Sequence, residues 1–170
     1  MSQRFYFDRN AIDRSTILRK DNHIGKKLKN ISEKYIVVCD GKNLFYLGDK
    51  PNPVFLDKSE VAKLKIENYE RIFLGISDNT AFYAIMTPVN FNIDDTVLPS
   101  NQCFEDLRIL ATNVNPLEAS YLAYAKALVY WNEKSKFCGT CGSSTFPQKN
   151  GHERVCSRDV CKQVHFPRTD

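Results

Sequence analysis

The chain has 170 residues, 42% hydrophobic and 26% charged, with a formal net charge of +4. These proportions are those of a soluble globular protein, one ordinary domain with a small appendage, whose core holds together without disulfides. No run of about 18 apolar residues exists, which excludes a membrane-spanning helix, and the opening stretch MSQRFYFDRNAIDRS has neither an apolar core nor a small-residue cleavage site, so no secretory signal is expected.

Residues 1–32 read as polar and irregular, with a short helix expected over 24–31; His23 carries no signal there. KYIVVC (34–39) is rich in β-branched and aromatic residues and reads as a strand. Asp40-Gly41 follows as a hairpin turn, and 44–47 as the returning strand. Pro51 and Pro53 mark a loop. A second hairpin is expected from 71–76, a turn over 77–80, and 81–86; residues 88–100 read as loop. No internal repeat or low-complexity segment stands out.

The strongest helix signal begins at Asn115-Pro116-Leu117-Glu118. Asn115 suits the cap, Pro116 the first helical position, and Glu118 the place from which a capping-box acid reaches back. Leu117, Tyr121, Tyr124, Leu128 and Trp131 then recur at helical spacing, which predicts an apolar stripe on a helix to about Glu133. The tyrosines and Trp131 are read as packing residues, and the alanines at 119, 123, 125 and 127 raise helix propensity.

Four of the six cysteines follow the helix as Cys138-x2-Cys141 and Cys156-x4-Cys161, with fourteen residues between the pairs. A C-x2-C turn points two thiolates at one metal ion, and a turn on each arm of a hairpin completes a tetrahedron with Zn–S bonds of roughly 2.3 Å. Gly139 and Gly142 suit the first tight turn, Asn150-Gly151 suits a hairpin tip, and the longer second turn closes if residues 157–160 bulge outward. A redox C-x2-C expects one pair on a strand-to-helix unit, and an iron–sulfur cluster usually takes other spacings; both fit less well than a zinc ribbon. With four thiolates and no open position the zinc is expected to be structural. Cys39 and Cys103 stand apart and read as buried small hydrophobes. His152 and His165 lie close to the ribbon and are read as surface residues or as neighbours of the ligands.

The charge is uneven. Lys134, Lys136, Lys149, Arg154, Arg158, Lys162 and Arg168 face only Glu153, Asp159 and Asp170, so the whole +4 excess falls in the last 37 residues. This asymmetry suits an anionic partner as well as it suits a solvated basic surface.

The run LEASYLAYAKALVYWNEKSKFCGTCGSSTFPQKNGHERVC, followed by HFPRTD, resembles the middle of the NADH pyrophosphatase family of Nudix hydrolases. FLGISDNTAFYAI and FEDLRIL resemble that family's N-terminal domain less specifically. The joint occurrence of helix, ribbon and PRTD is specific to the family, where a four-cysteine ribbon alone is not. The resemblance implies an α+β chain: a β-rich N-terminal Nudix-like domain over 1–114, a linking helix over 115–134, and over 135–170 a zinc ribbon with the start of the linker to a Nudix domain. It implies Zn²⁺ on Cys138, Cys141, Cys156 and Cys161, and Phe166 as a residue that stacks on substrate, against a plainer role as an apolar plug under the ribbon.

Two departures from the family pattern stand out. Many bacterial members have C-x2-C as the second pair, although longer knuckles occur in eukaryotic-type members. The Nudix box, whose carboxylates hold catalytic Mg²⁺ or Mn²⁺, matches no segment; Glu67, Glu70 and Glu105 lack its helical spacing. The chain is therefore expected to stop before the catalytic domain and to be inactive alone. The parent enzyme implied by the resemblance hydrolyses NAD(H) to nicotinamide mononucleotide and AMP, removes NAD caps from RNA in some members, and is a homodimer. The expected location is intracellular, in the cytoplasm or, if the source is eukaryotic, the peroxisome. Two further readings stay open: a stand-alone nucleic-acid-binding ribbon using Lys149, Arg154, Arg158, Lys162 and Arg168 on phosphates, and a purely structural domain for dimerisation or partner docking.

Overall fold

The computed structural model describes residues 12–20, 24, 28, 30–88, 91 and 98–168. His23, most of the helix expected over 24–31, most of the loop at 88–100, and Asp170 lie outside them. A mixed six-stranded sheet forms the main body. β1 (Ser32–Cys39) turns through Asp40-Gly41 into β2 (Lys42–Tyr46), as expected. Both turn residues have positive φ, 48° and 69°, the geometry that a two-residue hairpin requires. The second hairpin is also as expected, from β4 (Arg71–Ser77) through Asp78-Asn79 to β5 (Thr80–Met86), again with two positive φ values.

The sequence had not shown how these hairpins join. β1 and β5 pair in parallel from Ser32↔Thr80 to Val38↔Met86, which joins the two hairpins in the order β2-β1-β5-β4. The proline-marked loop contains β3 (Asn52–Pro53), and β6 (Gln102–Glu105) pairs with β2. At the β4 edge, Asp13 and Ile76 exchange backbone hydrogen bonds at 2.8 and 2.9 Å. Gly75, at a bulge in β4 with φ of 142°, lets Ile12 and Asp13 approach; a Cβ there would lie 2.2 Å from the Ile12 side chain.

Strand alternation divides the core between two faces. Ile36, Val38, Ile72, Leu74 and Ala84 face the long helix, while Tyr35, Val37, Phe73, Tyr83 and Ile85 face the other side. There Val61 of a short helix, α2 (Lys58–Lys63), packs beside Ile66. α2 went unread in the sequence although its capping box is explicit. Asp57 accepts from the Ser59 and Glu60 amides, and Glu60 accepts from the Asp57 amide. Two shorter helices, α1 (Thr16–Arg19) and α3 (Leu107–Leu110), flank the sheet.

α4 (Pro116–Lys134) covers the first face. Asn115 caps it by accepting the Leu117 amide at 2.9 Å. Glu118 completes no capping box; burial instead raises its pKa. Tyr121, Tyr124 and Leu128 are buried as the stripe requires, but Leu117 is 36% exposed and Trp131 only half-buried. The buried face is centred on Leu122, Ala125, Leu128, Val129 and Asn132. Small Ala119 and Ala125 let the helix lie close to the sheet, so the contact line falls beside the large side chains that mark the sequence pattern.

Candidate metal centre and its junction with the sheet domain

Beyond α4, β7 (Thr145–Gln148) and β8 (Glu153–Cys156) form an antiparallel hairpin, and β9 (Val164–His165) adds a third strand. Two knuckles flank this small sheet. In the first, the Cys138 amide donates to Ser143 O at 2.7 Å and the Gly142 amide to Cys138 O at 2.8 Å. In the second, the Cys156 amide donates to Gln163 O at 2.9 Å. Each knuckle ends on a left-handed residue, Gly142 (φ 73°) and Lys162 (φ 45°). Of the two glycines singled out in the first knuckle, only Gly142 has positive φ; Gly139 needs no special conformation. The two extra residues of the second knuckle are absorbed by an exposed bulge over 157–160.

The four sulfurs of Cys138, Cys141, Cys156 and Cys161 lie within 4.8 Å of one another. Cys138 and Cys161 Sγ are 3.8 Å apart, and Cys141 and Cys156 Sγ 3.5 Å. A tetrahedron with bonds of about 2.3 Å has edges of about 3.8 Å, so the cluster is consistent with a structural Zn²⁺. It is formed of sulfur alone, a donor set that suits a closed site and leaves no position for water. Burial opposes the Cys138 thiolate, but the Thr140 and Cys141 amides and the His165 ring outweigh it and bring the thiol down to about 5. Burial pushes Cys156 up to about 12. Four sulfurs this close hold four negative charges together only around a cation.

The two histidines divide. His165 Nε2 lies 3.3 Å from Cys138 Sγ, next to the sulfur cluster. His152 is neither a surface residue nor close to the cluster's sulfurs in role. It is 6% exposed, its Nε2 lies 2.5 Å from Phe73 O in β4, and its ring sits against Tyr124. Burial lowers its pKa to about 4; the Phe73 carbonyl opposes this and the Arg19 and Arg14 charges add to it. Cys39 and Cys103 are half-buried rather than buried, Cys39 at the end of β1 and Cys103 opposite Phe45 in β6.

A buried polar junction locks the ribbon to the sheet domain. Asn132 of α4 donates to Gly151 O at 2.9 Å and accepts from Arg154 Nη1 at 3.2 Å. Arg154 Nε and Nη2 donate to Thr145 Oγ1 and O at 2.9 and 3.0 Å. Gly151, the expected hairpin tip, is pressed on Ile72 of β4 instead of projecting into solvent. This corrects the basic-surface reading. Arg154 is 5% exposed and engaged internally, Lys149 pairs with Glu153, and Lys162 pairs with Asp159 at 2.6 Å. Of the five cations assigned to phosphate, only Arg158 and Arg168 are exposed without an acidic partner among the described residues.

Phe166 follows β9 and is 62% exposed. It is a poor apolar plug, and it lines a cleft of about 220 Å³ shared by the ribbon, α4 and the segment around α1. That segment's basic run, Arg14, Arg19 and Lys20, went unread in the sequence, although its density in RSTILRK was the available signal. No described helix is long and apolar enough to cross a membrane.

Comparison with known proteins gives the same two parts. The model of the NADH pyrophosphatase-like rudimentary NUDIX domain matches residues 32–131, and that of the NADH pyrophosphatase zinc ribbon domain matches residues 133–166. Nudix hydrolase 19, chloroplastic, of Arabidopsis thaliana is 36% identical over 74 residues, covering 40% of this chain and 17% of that protein. The NAD-capped RNA hydrolases NUDT12 of Macaca fascicularis and Homo sapiens are 34% and 32% identical over 59 residues, 31% of this chain and 13% of each relative. The chain thus spans less than a fifth of the length of these relatives. With a helix-covered mixed sheet leading directly into a three-stranded ribbon that gathers four cysteine sulfurs, and with family models matching both parts, this chain belongs to the NADH pyrophosphatase-like family, of which it carries the rudimentary NUDIX domain and the zinc ribbon.

Proposed function

We propose that this chain is the N-terminal and zinc-ribbon part of a Nudix hydrolase that cleaves the diphosphate of NAD(H), giving nicotinamide mononucleotide and AMP, and that removes NAD caps from RNA. One observation carries the reading: a rudimentary NUDIX domain and its ribbon form one continuous unit, joined through Asn132, Gly151 and Arg154. The names of the relatives, a Nudix hydrolase and NAD-capped RNA hydrolases, agree with it.

In this reading Cys138, Cys141, Cys156 and Cys161 hold a structural Zn²⁺, which supplies the cross-link that fixes both knuckles. The sheet domain and α4 set the ribbon's position. The ribbon presents the exposed Phe166 next to Pro167, where the ring stacks on a nucleobase of the substrate. Hydrolysis belongs to the carboxylates of a Nudix box with Mg²⁺ or Mn²⁺, which would activate water and neutralise charge on the phosphate oxygens. No such box occurs in these 170 residues, so the chain alone is inactive. The working enzyme is a homodimer inside the cell.

The test is hydrolysis of NADH and of NAD-capped RNA by the 170-residue chain and by a chain extended through the downstream coding sequence. Activity in the extended chain only, lowered by Phe166→Ala mainly through KM, is expected. A downstream sequence with no Nudix box, or an extended chain inactive on both substrates, would sink the reading.

A further inference from the structure

Three cations with no salt-bridge partner among the described residues meet where the N-terminal segment touches the ribbon. Arg14, Arg19 and Lys20, from α1 and its flanks, line the 220 Å³ cleft together with Lys149 from the turn between β7 and β8. Among the described residues Glu153 is the one carboxylate in that lining, and it is engaged by Lys149. His152 cannot offset the charge, because its ring is neutral near pH 7 and is held by Phe73 O. Arg14 lies over the Tyr124 ring at 4.2 Å, which orients its guanidinium without neutralising it. Asp13 tempers Arg19 from outside the lining, but one of its carboxylate oxygens accepts the Ser15 amide at 2.9 Å. Arg19 Nε is buried with no acceptor among the described residues. A buried, unsatisfied guanidinium N–H is costly, and it is costlier beside other cations.

We propose that this cleft binds a diphosphate group, free or as the phosphate chain of a nucleotide, through Arg14, Arg19 and Lys20. Guanidinium groups match phosphate oxygens in a fork geometry, and the lysine adds point charge. The cleft is smaller than the roughly 300–1,000 Å³ of pockets that enclose drug-sized ligands, so it takes a compact anionic group and not a whole dinucleotide. The site goes beyond the proposed function, since it needs nothing outside these residues and stands or falls without hydrolysis.

Calorimetric titration of the zinc-loaded 170-residue chain with inorganic pyrophosphate, and separately with ADP, tests it. One saturable site per chain is expected. Lys20→Gln with Arg14→Gln should weaken binding about a hundredfold, about tenfold for each of the two lost charge-assisted contacts. Both side chains are exposed, so zinc content and Tm should not change. Lys58→Gln, on α2 across the sheet, should leave binding intact. ADP binding at least as tightly as pyrophosphate would identify a nucleotide's phosphate chain as the ligand; binding of pyrophosphate alone would identify the free anion. The proposal is overturned if neither probe binds saturably, if the double variant binds like the parent, or if Lys58→Gln weakens binding equally.

Discussion

Arg154 Nη1 donates to Asn132 Oδ1 at 3.2 Å, and solvent reaches neither residue appreciably: they are 5% and 0% exposed. Asn132 lies in the last turns of α4 and Arg154 in β8, so this bond ties the ribbon to the helix that covers the sheet. The Asn132 amide also donates to Leu128 O at 3.0 Å and Gly151 O at 2.9 Å. The ribbon is therefore oriented by directional buried bonds, not by a flexible tether.

Because each partner leaves the other buried and unsatisfied, Arg154→Met or Asn132→Ala should destabilise the zinc-loaded chain by about 2–4 kcal/mol. Urea unfolding of both single variants and the double variant would give the coupling, expected at about 1–3 kcal/mol. Strict additivity would mean that the two side chains do not act together.

Metal removal should act unevenly. One zinc per chain is expected by elemental analysis, and chelation should release it with loss of amide protection in β7, β8 and β9, while the sheet domain stays folded on its own two hydrophobic clusters. Cys138→Ser or Cys156→Ser should abolish stoichiometric zinc. Cys39→Ser and Cys103→Ser, whose sulfurs lie outside the cluster, should retain it.

Gly151→Ala probes the seat of the ribbon on β4. Its φ of 88° disfavours any Cβ, and the added atom would lie 2.8 Å from Ile72 Cγ1. A loss of about 2–3 kcal/mol in thermal or urea unfolding is expected from strain and overpacking together. Ile72→Val in the Gly151→Ala background should recover only part of it, because the backbone strain remains.

His152 gives the junction a pH dependence of known sign. Its folded-state pKa of about 4 is below the ordinary value of 6.5, so the unfolded chain binds its proton first. The stability is fully present above pH ~6.5 and is lost as pH falls towards ~4, by up to about 3 kcal/mol. Arg14, Arg19, Lys149, Glu153 and Tyr124 face the same cleft, and its cations work against protonation of the ring. Since thiolates also titrate in acid, the measurement is the difference between the parent and His152→Gln in ΔG against pH from 7 to 5. Parallel curves would show that the ring does not titrate between the two states.

The sequence by itself determined what depends on near neighbours. Asp40-Gly41 and Asp78-Asn79 encode two tight turns, Asn115-Pro116 encodes a helix start, and the cysteine spacings encode two knuckles able to meet at one metal. Each follows from a few adjacent residues whose own backbone preferences decide the outcome. Tertiary structure alone decided the parallel pairing of β1 with β5, the face of α4 that is buried, and the fates of Arg154 and His152. An arginine in a basic tail and a histidine beside a cysteine ribbon look solvated in a linear reading. Both are buried because Gly151 lets the ribbon's turn press on Ile72 of β4, about eighty residues earlier in the chain, and at that distance in sequence no local preference records who the partner will be.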